Sequence, residues 1–387
     1  MYPFRGVLAL INRIDIMEQN IKRKTRILQV NLDGEGGAFA LMYQMQGELL
    51  SDYIFDFYWM GKFRKNAYTD ALKKNGSKFF EANLRKNRLV GHFLTPFLFY
   101  KFLKAHKYDV IHINADTAFK LLIYAKPAKK AGCSKVILHS HSSGINGKFK
   151  WLKYIMHLLA RPFLKKNSDV YLSCSDLASE WMFKSDNRAV EIIKNGVDIE
   201  KFKFSDDTRS LYRQKLLAEN KIVIGMVGNL SYQKNPEFLI ETLALLPKDM
   251  YMVVFVGDGE NRKNVEELVN AKGLSERVVF YGQTSEVNNL LNAFDIFAMP
   301  SRFEGLPVSG VEAQTNGLKC IFSDKITAEI GILTSCEFLP IGKSYEIWAD
   351  RIKNATFDDR ACAHLIVSEH GFDIYDSAKR LSNIYAN

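Results

Sequence analysis

Two acids frame one stretch of the sequence, FEGLPVSGVE, with Glu304 near its start and Glu312 at its end. A strand-like run, AFDIFAMPS, leads into it. Pro307 suits the first turn of a helix because its missing N–H was unneeded there. Gly317 suits the position just past a helix end, so the pattern predicts a helix from about Pro307 to Asn316. Glu304 then lies on the loop before that helix. Glu312 sits about one and a half turns in, and its side chain leans back toward the same mouth. The free N–H groups of Gly305, Leu306 and Val308 point there too. Helix mouths favour phosphate, whereas carboxylates repel it and accept hydrogen bonds from hydroxyls. A sugar nucleotide satisfies both, with diphosphate on the amides and hydroxyls on the glutamates. The plainer alternative has Glu304 capping the helix and Glu312 facing solvent. Gly310 inside the helix costs about 1 kcal/mol against Ala, which implies a close approach at that point.

GNLSYQKNPEF, residues 228–238, repeats the logic. Lys234 projects just before a helix opening at Asn235-Pro236, where a cation would counter phosphate charge. An ordinary surface lysine is the alternative. In DGEGGAFALM, residues 33–42, Gly36 and Gly37 let a ligand approach the backbone between a strand and a helix. Neither that turn nor GDGENR, residues 257–262, has the G-x-G-x-x-G spacing, which disfavours NAD. HSHSSG, residues 139–144, sets His139 and His141 on one face at a strand's end. A structural pair is the commoner reading, and a cleft-edge position raises the functional one. No H-E-x-x-H, cysteine pair or D-x-D motif supplies metal ligands, and no nucleophile elbow or phosphate loop of the G-x-x-x-x-G-K-[ST] type is present.

Composition sets outer limits. With 387 residues, 47% apolar and 25% charged, the chain has the make-up of a soluble protein with room for two or three domains. The apolar stretch near its start runs about five residues, against roughly 20 for a bilayer span and roughly 7–15 for a secretory segment. No signal peptide or transmembrane helix is expected, and residues 1–16 read as a dispensable extension. Cys133, Cys174, Cys320, Cys336 and Cys362 are odd in number and never paired as C-x-x-C, which points to a reducing, cytoplasmic compartment. The net charge of +10 is uneven: residues 1–200 hold 32 Lys+Arg against 18 Asp+Glu, the rest 21 against 25. A basic first half suits an anionic membrane, a phosphorylated substrate or nucleic acid, or is simply a solvated surface.

The positioning elements follow from short apolar runs alternating with helical patterns. Strands are expected in 25–32, 108–115, 135–142, 168–175 and 189–196, then in 221–230, 250–259, 277–283, 293–301 and 318–324. DIEKFKFSDDTRS, polar and turn-rich, reads as a linker between the two series. The fold class is therefore α/β, two Rossmann-like domains whose parallel sheets face a central cleft. The domains are placed at 25–200 and 201–365, with an N-terminal extension 1–24 and a terminal helix in 366–387. Ligands of such sheets sit beyond the carboxyl ends of the strands.

VGNLSYQKN, VGDGENR, VVFYGQ and PSRFEGLPVSGVEAQTNGLKCIFSD stand in the order and spacing of a known family. Over nearly its whole length, the second half resembles the retaining GT-B glycosyltransferases of family 4. The first half matches more loosely, through ILQVNLDGEGG, DVIHINA, HSHSSG, SDVYLSCS and KNGVD. The chain is most similar to bacterial enzymes that build capsular or exopolysaccharide repeat units. The resemblance implies that Glu304 contacts the transferred sugar, Glu312 the ribose, and Lys234 the diphosphate, aided by amides from Gly305 to Val308. Backbone near Tyr281 and Gly282 would hold the base, Gly36 and Gly37 would wall the phosphates, and His141 would face the anomeric centre. It also implies retention, no metal, no cofactor beyond a UDP-sugar used as substrate, and a terminal helix that returns to the first domain. Asn229 departs from the family, which usually has arginine there. That leaves Lys234 to meet the phosphate alone, with Asn229 as a neutral contact.

These expectations add up to a cytoplasmic hexosyltransferase docked on the inner membrane face. It would move a sugar to a polyprenyl-diphosphate-linked glycan. Docking is assigned to the basic first half and to residues 79–104, which mix aromatics with cations. The rivals are a GT-B hydrolase or epimerase of sugar nucleotides, an inactive scaffold, and a nucleic-acid-binding protein. The last lacks any RNP, zinc-finger or KH signature.

Overall fold

The computed structural model describes residues 24–387 except 35, 66, 85–87, 146–148, 185–186 and 343. The expected extension, save its last residue, lies outside the described residues. The first sheet has seven parallel strands: β1 (Thr25–Val30), β2 (Tyr53–Trp59), β3 (Phe79–Glu81), β4 (Val110–Ala115), β5 (Lys135–Ser140), β6 (Val170–Ser173) and β7 (Val190–Ile192). Their spatial order is β3-β2-β1-β4-β5-β6-β7. The second sheet has six: β8 (Ile222–Val227), β9 (Tyr251–Val256), β10 (Val278–Gly282), β11 (Ile296–Met299), β12 (Lys319–Ser323) and β13 (Glu337–Leu339). They run β10-β9-β8-β11-β12-β13. β4 and β9 are buried along their whole lengths, because helices cover both faces of a parallel sheet.

Every expected strand is present, and β2, β3 and β13 add to that set. The supposed linker DIEKFKFSDDTRS is ordered differently. It forms the helices Ile199–Phe202 and Asp206–Lys215, whose first turns are capped by Asp198 and Ser205. Acidic and hydroxyl side chains read as turn formers here serve as N-caps, satisfying helix N–H groups. The chain then returns. The last helix, Ile374–Ala386, lies against the first sheet, with the Tyr53 hydroxyl donating to Ser382 O at 3.2 Å and Lys135 Nζ to Ile384 O at 2.7 Å.

Within 79–104, the helix Arg88–Ala105 buries one stripe in the core: Thr95, Phe99 and Leu103 are buried, while Phe93, Leu94 and Phe97 face outward. Among the described residues no helix is long and apolar enough to cross a membrane, and all five cysteines are free thiols.

Candidate functional site

Each sheet reverses its strand order once, between β1 and β4 and between β8 and β11. Such a reversal opens a crevice beyond the strand ends. The loops after β8 and β11 carry Lys234 and Glu304. Lys234 Nζ lies 3.0 Å from Glu304 Oε1, and Gln233 Nε2 donates to Glu304 Oε2 at 2.9 Å. Both side chains are largely buried. Asn235 locks the two loops together by donating to Pro300 O at 3.0 Å, and Pro236 opens the next helix.

The helix after Glu304 spans Val308–Thr315, with Pro307 at its N-cap and Gly317 left-handed just past its end. Glu312 is half-buried on it. Burial pushes its carboxyl up to about 7, opposed by the positive fields of Lys201 and Lys234. Lys234 thus acts on both glutamates, one by contact and one through its field. Val308 packs against the first-domain cluster that includes Phe39 and Met42. Those two residues lie on the helix Gly36–Gly47, whose first residues are Gly36 and Gly37.

Two expectations at this mouth change. The Leu306 amide is directed at the Cys174 sulfur rather than left free. The close approach at Gly310 is made by the protein itself: a Cβ there would lie 3.2 Å from Phe322 and 3.3 Å from Ile330. Helix packing on the sheet explains that glycine.

The first half grips residues 304–306 tightly. Their carbonyls accept from Ser143 Oγ, Ser175 Oγ and Asn195 Nδ2 in turn. A Cβ on Gly305 would stand 2.8 Å from both Cys174 Sγ and His141 O, so only glycine fits between the two halves. The loop that bears one carboxylate is thereby fixed by the opposite domain. Sequence spacing gave no signal for Gln233, Ser143, Ser175 or Asn195, because their partners are more than seventy positions away or on the other domain.

His141 follows β5, and its ring lies 3.9 Å from that of His139. Its Nε2 meets Asn114 Oδ1 at 2.8 Å, and Asn114 Nδ2 donates to Gln29 Oε1 at 3.0 Å. Gln29 Nε2 donates to the Tyr385 hydroxyl at 3.0 Å, and that hydroxyl lies 2.8 Å from His112 Nδ1. His112 Nε2 in turn meets His139 Nδ1 at 3.1 Å. With the amides so placed, each proton has one position. His141 carries its proton on Nε2, leaving Nδ1 as an acceptor. Burial pushes His112 down to about 3 and His141 to about 4, and holds His139 well below the usual range. The three rings are neutral at physiological pH. His139 is thus a buried structural partner, whereas His141 reaches the domain boundary.

On the far side, β9 and β10 slip register at Tyr281, leaving that residue off the ladder. Gly282 O accepts from Gly257 N at 2.8 Å. Asn229 is exposed, with its Oδ1 against Gly259. Among the described residues no group of His, Cys, Asp and Glu could hold a metal ion. A cavity of about 470 Å³ lined by Lys194, His370 and Arg380 lies beside the last helix, away from this mouth.

Two parallel-sheet α/β domains, each with one strand-order reversal, have the GT-B architecture. Residues 208–366 match the glycosyl transferases group 1 family, and residues 67–201 match glycosyltransferase family 4. The chain is 30% identical to the Escherichia coli UDP-Gal:alpha-D-GlcNAc-diphosphoundecaprenol alpha-1,3-galactosyltransferase over 295 residues, 72% of this chain and 73% of that one. It is 26% identical to the Escherichia coli O-antigen biosynthesis glycosyltransferase WclY over 238 residues, 57% of this chain and 63% of that one. Its fold matches Anabaena HepE, solved with UDP and glucose, with a TM-score of 0.75 and 22% identity over 94% of this chain and 99% of that one. The chain belongs to the GT-B glycosyltransferases of the family 4 type.

Proposed function

We propose that this glycosyltransferase moves a hexose from a UDP-sugar to a glycan held on polyprenyl diphosphate, with retention at the anomeric carbon and without a metal, in polysaccharide biosynthesis. The carrying observation is the buried Glu304–Lys234 pair at a helix mouth on the strand-order reversal. The names of two relatives, one acting from UDP-Gal on a diphosphoundecaprenol and one in O-antigen biosynthesis, favour the same donor, acceptor and product class. UDP in the HepE structure agrees with the donor. Residues 25–200 would form the acceptor-side domain and 201–365 the donor side, with 366–387 crossing back.

In this reading Lys234 meets the diphosphate with the amides of Gly305 and Val308, while Leu306 holds the loop to Cys174. Glu304 accepts from hydroxyls of the transferred sugar and Glu312 from the ribose. The bulge at Tyr281 and Gly282 offers backbone to the base, and Asn229 contacts the phosphates as a neutral donor. Gly36 and Gly37 face the phosphates from the first domain. His141 offers its Nδ1 near the anomeric centre. The bond from that carbon to the diphosphate breaks with its electron pair going to phosphate. The acceptor hydroxyl oxygen forms the new bond on the same face and gives its proton to the departing phosphate. Stabilising that developing charge is the main catalytic demand, and it falls on Lys234 and the helix mouth. The enzyme would work at the cytoplasmic face of a membrane.

Thermal shift with UDP, GDP and ADP tests the donor. UDP at about 100 times its Kd should add about 2.7 kcal/mol of stability, and GDP and ADP should add less. No response to UDP would overturn the donor assignment.

A further inference from the structure

Surface helices of soluble proteins normally turn their apolar residues inward. The helix Lys150–Ala160 does the opposite. Trp151, Leu152, Tyr154, Ile155, Leu158 and Leu159 all face outward, with Trp151 and Leu159 each 67% exposed. Phe149 and Phe163 extend the ridge at either end. The inward face holds only His157 and the small Ala160: His157 is fully buried, its Nδ1 accepting from Ala118 N at 3.0 Å and its Nε2 donating to Trp181 O at 3.0 Å. Its ring also stacks on Trp181 at 4.1 Å. The helix is therefore held by a histidine clamp and one alanine, and none of its large apolar side chains is buried. Single exposed apolar residues are ordinary, but a contiguous ridge of this kind marks an interaction surface.

Charge identifies what the ridge fits. From His141 to Ser168 the sequence holds five lysines, one arginine and no acid. Lys150 and Lys153 flank the ridge at one end, and Arg161, Lys165 and Lys166 at the other. An apolar ridge bordered by cations of one sign matches a surface that is apolar within and uniformly negative outside, the headgroup layer of an anionic bilayer. The helix is about 16 Å long, about half the hydrocarbon thickness of a bilayer, so it would lie in the interface plane. Phe93, 83% exposed, and Phe97 belong to the same helical layer, since their helix packs on Ala118–Ala131 and that helix on Lys150–Ala160.

The ridge begins at the rim of the site. Lys150 Nζ sits 3.0 Å from the centre of the Tyr232 ring, on the loop that carries Lys234. Gly144, on the approach to the helix, abuts Phe303, the residue before Glu304. We propose that the helix Lys150–Ala160 lies in the headgroup layer of an anionic membrane and sets the rim of the cleft beside acceptors carried in that membrane. The docking stands on the ridge and its flanking cations, and its link to acceptors rests on the function proposed above.

Sedimentation with vesicles of phosphatidylcholine plus phosphatidylglycerol tests it, against vesicles of phosphatidylcholine alone. The full chain should partition onto the anionic vesicles at low salt. The double substitution Trp151→Glu with Leu159→Glu should lower that partition at least about tenfold while leaving the melting temperature unchanged. Should the double substitution unfold the protein, Lys165→Ala with Lys166→Ala should instead weaken partition and reduce its salt dependence. Equal binding by substituted and native protein, or no binding of the native protein to anionic vesicles, would overturn the proposal. A native dimer that the double substitution makes monomeric without lipid would also overturn it, assigning the ridge to a second copy. UDP-induced stabilisation is measured on the same samples. A native protein that fails to bind anionic vesicles yet responds to UDP refutes the docking alone, and one that binds vesicles without a UDP response refutes the donor assignment alone.

Discussion

At the residue scale, the Glu304–Lys234 pair explains why two opposite charges sit in an apolar neighbourhood. Each is the other's counter-charge, and Gln233 fills the second carboxylate oxygen. Removing one partner leaves a buried charge uncompensated, which costs about 3–5 kcal/mol. Lys234→Ala should therefore lower stability by roughly that amount and activity by about 100-fold or more. Adding Glu304→Gln to it should restore most of the stability in urea unfolding while transfer stays lost. Glu304→Gln alone should abolish transfer, and unchanged turnover would remove Glu304 from the site. Glu312 titrates near pH 7. In the role proposed for it the ionised form accepts ribose hydroxyls, so UDP affinity should rise as pH increases through about 7 and binding should release a proton in calorimetry. Glu312→Gln should flatten that dependence.

At the element scale, position is set across the domains. Ser143, Ser175 and Asn195 hold three successive carbonyls of the Glu304 loop, and Gly305 fills the space between Cys174 and His141. Gly305→Ala must push the loop off the first domain, and a misplacement of about 1 Å at such a site costs about 100-fold in rate. Turnover should fall by that order, and the melting temperature should drop too, because the hydrogen bonds to the three carbonyls are loosened. The last helix reaches the same neighbourhood by a different route. Tyr385 ends a buried hydrogen-bond chain through Gln29 and Asn114 to His141, and also touches His112. Tyr385→Phe would leave buried polar groups unpaired at a cost of about 1–3 kcal/mol, readable as a lower urea midpoint.

At the scale of the whole molecule, buried histidines make the fold sensitive to acid. His112 is pushed down to about 3, and His141 and His157 to about 4. In the unfolded chain each takes a proton near pH 6.5. Between those values the unfolded state binds more protons, so stability should fall as pH drops from about 6.5 toward about 4. Glu312 works the other way, its raised carboxyl favouring the fold below about pH 7, but it is one group against several. Urea midpoints measured across that window should decline toward acid, and a flat profile would contradict the burial of these rings.

The sequence by itself determined the architecture and the local chemistry. Apolar runs alternating with helical patterns are set by burial on both faces of a parallel sheet, which is why β1, β4, β8, β9 and β11 were legible. So were Lys234 and Glu304, each placed by proline, glycine and strand-end signals within a few positions. Short edge strands such as β3 and β13 carry too few residues for a pattern. DIEKFKFSDDTRS hid two helices because its caps look like turn residues. Only the tertiary structure decided that Glu304 and Lys234 touch, that Leu306 and Gly310 serve packing, that Tyr385 reaches the His141 network, and that Lys150–Ala160 presents its apolar side outward. Those facts depend on contacts between residues distant in the chain. Local spacing fixes what a side chain is near along its own element, while long-range packing fixes what it meets across the fold.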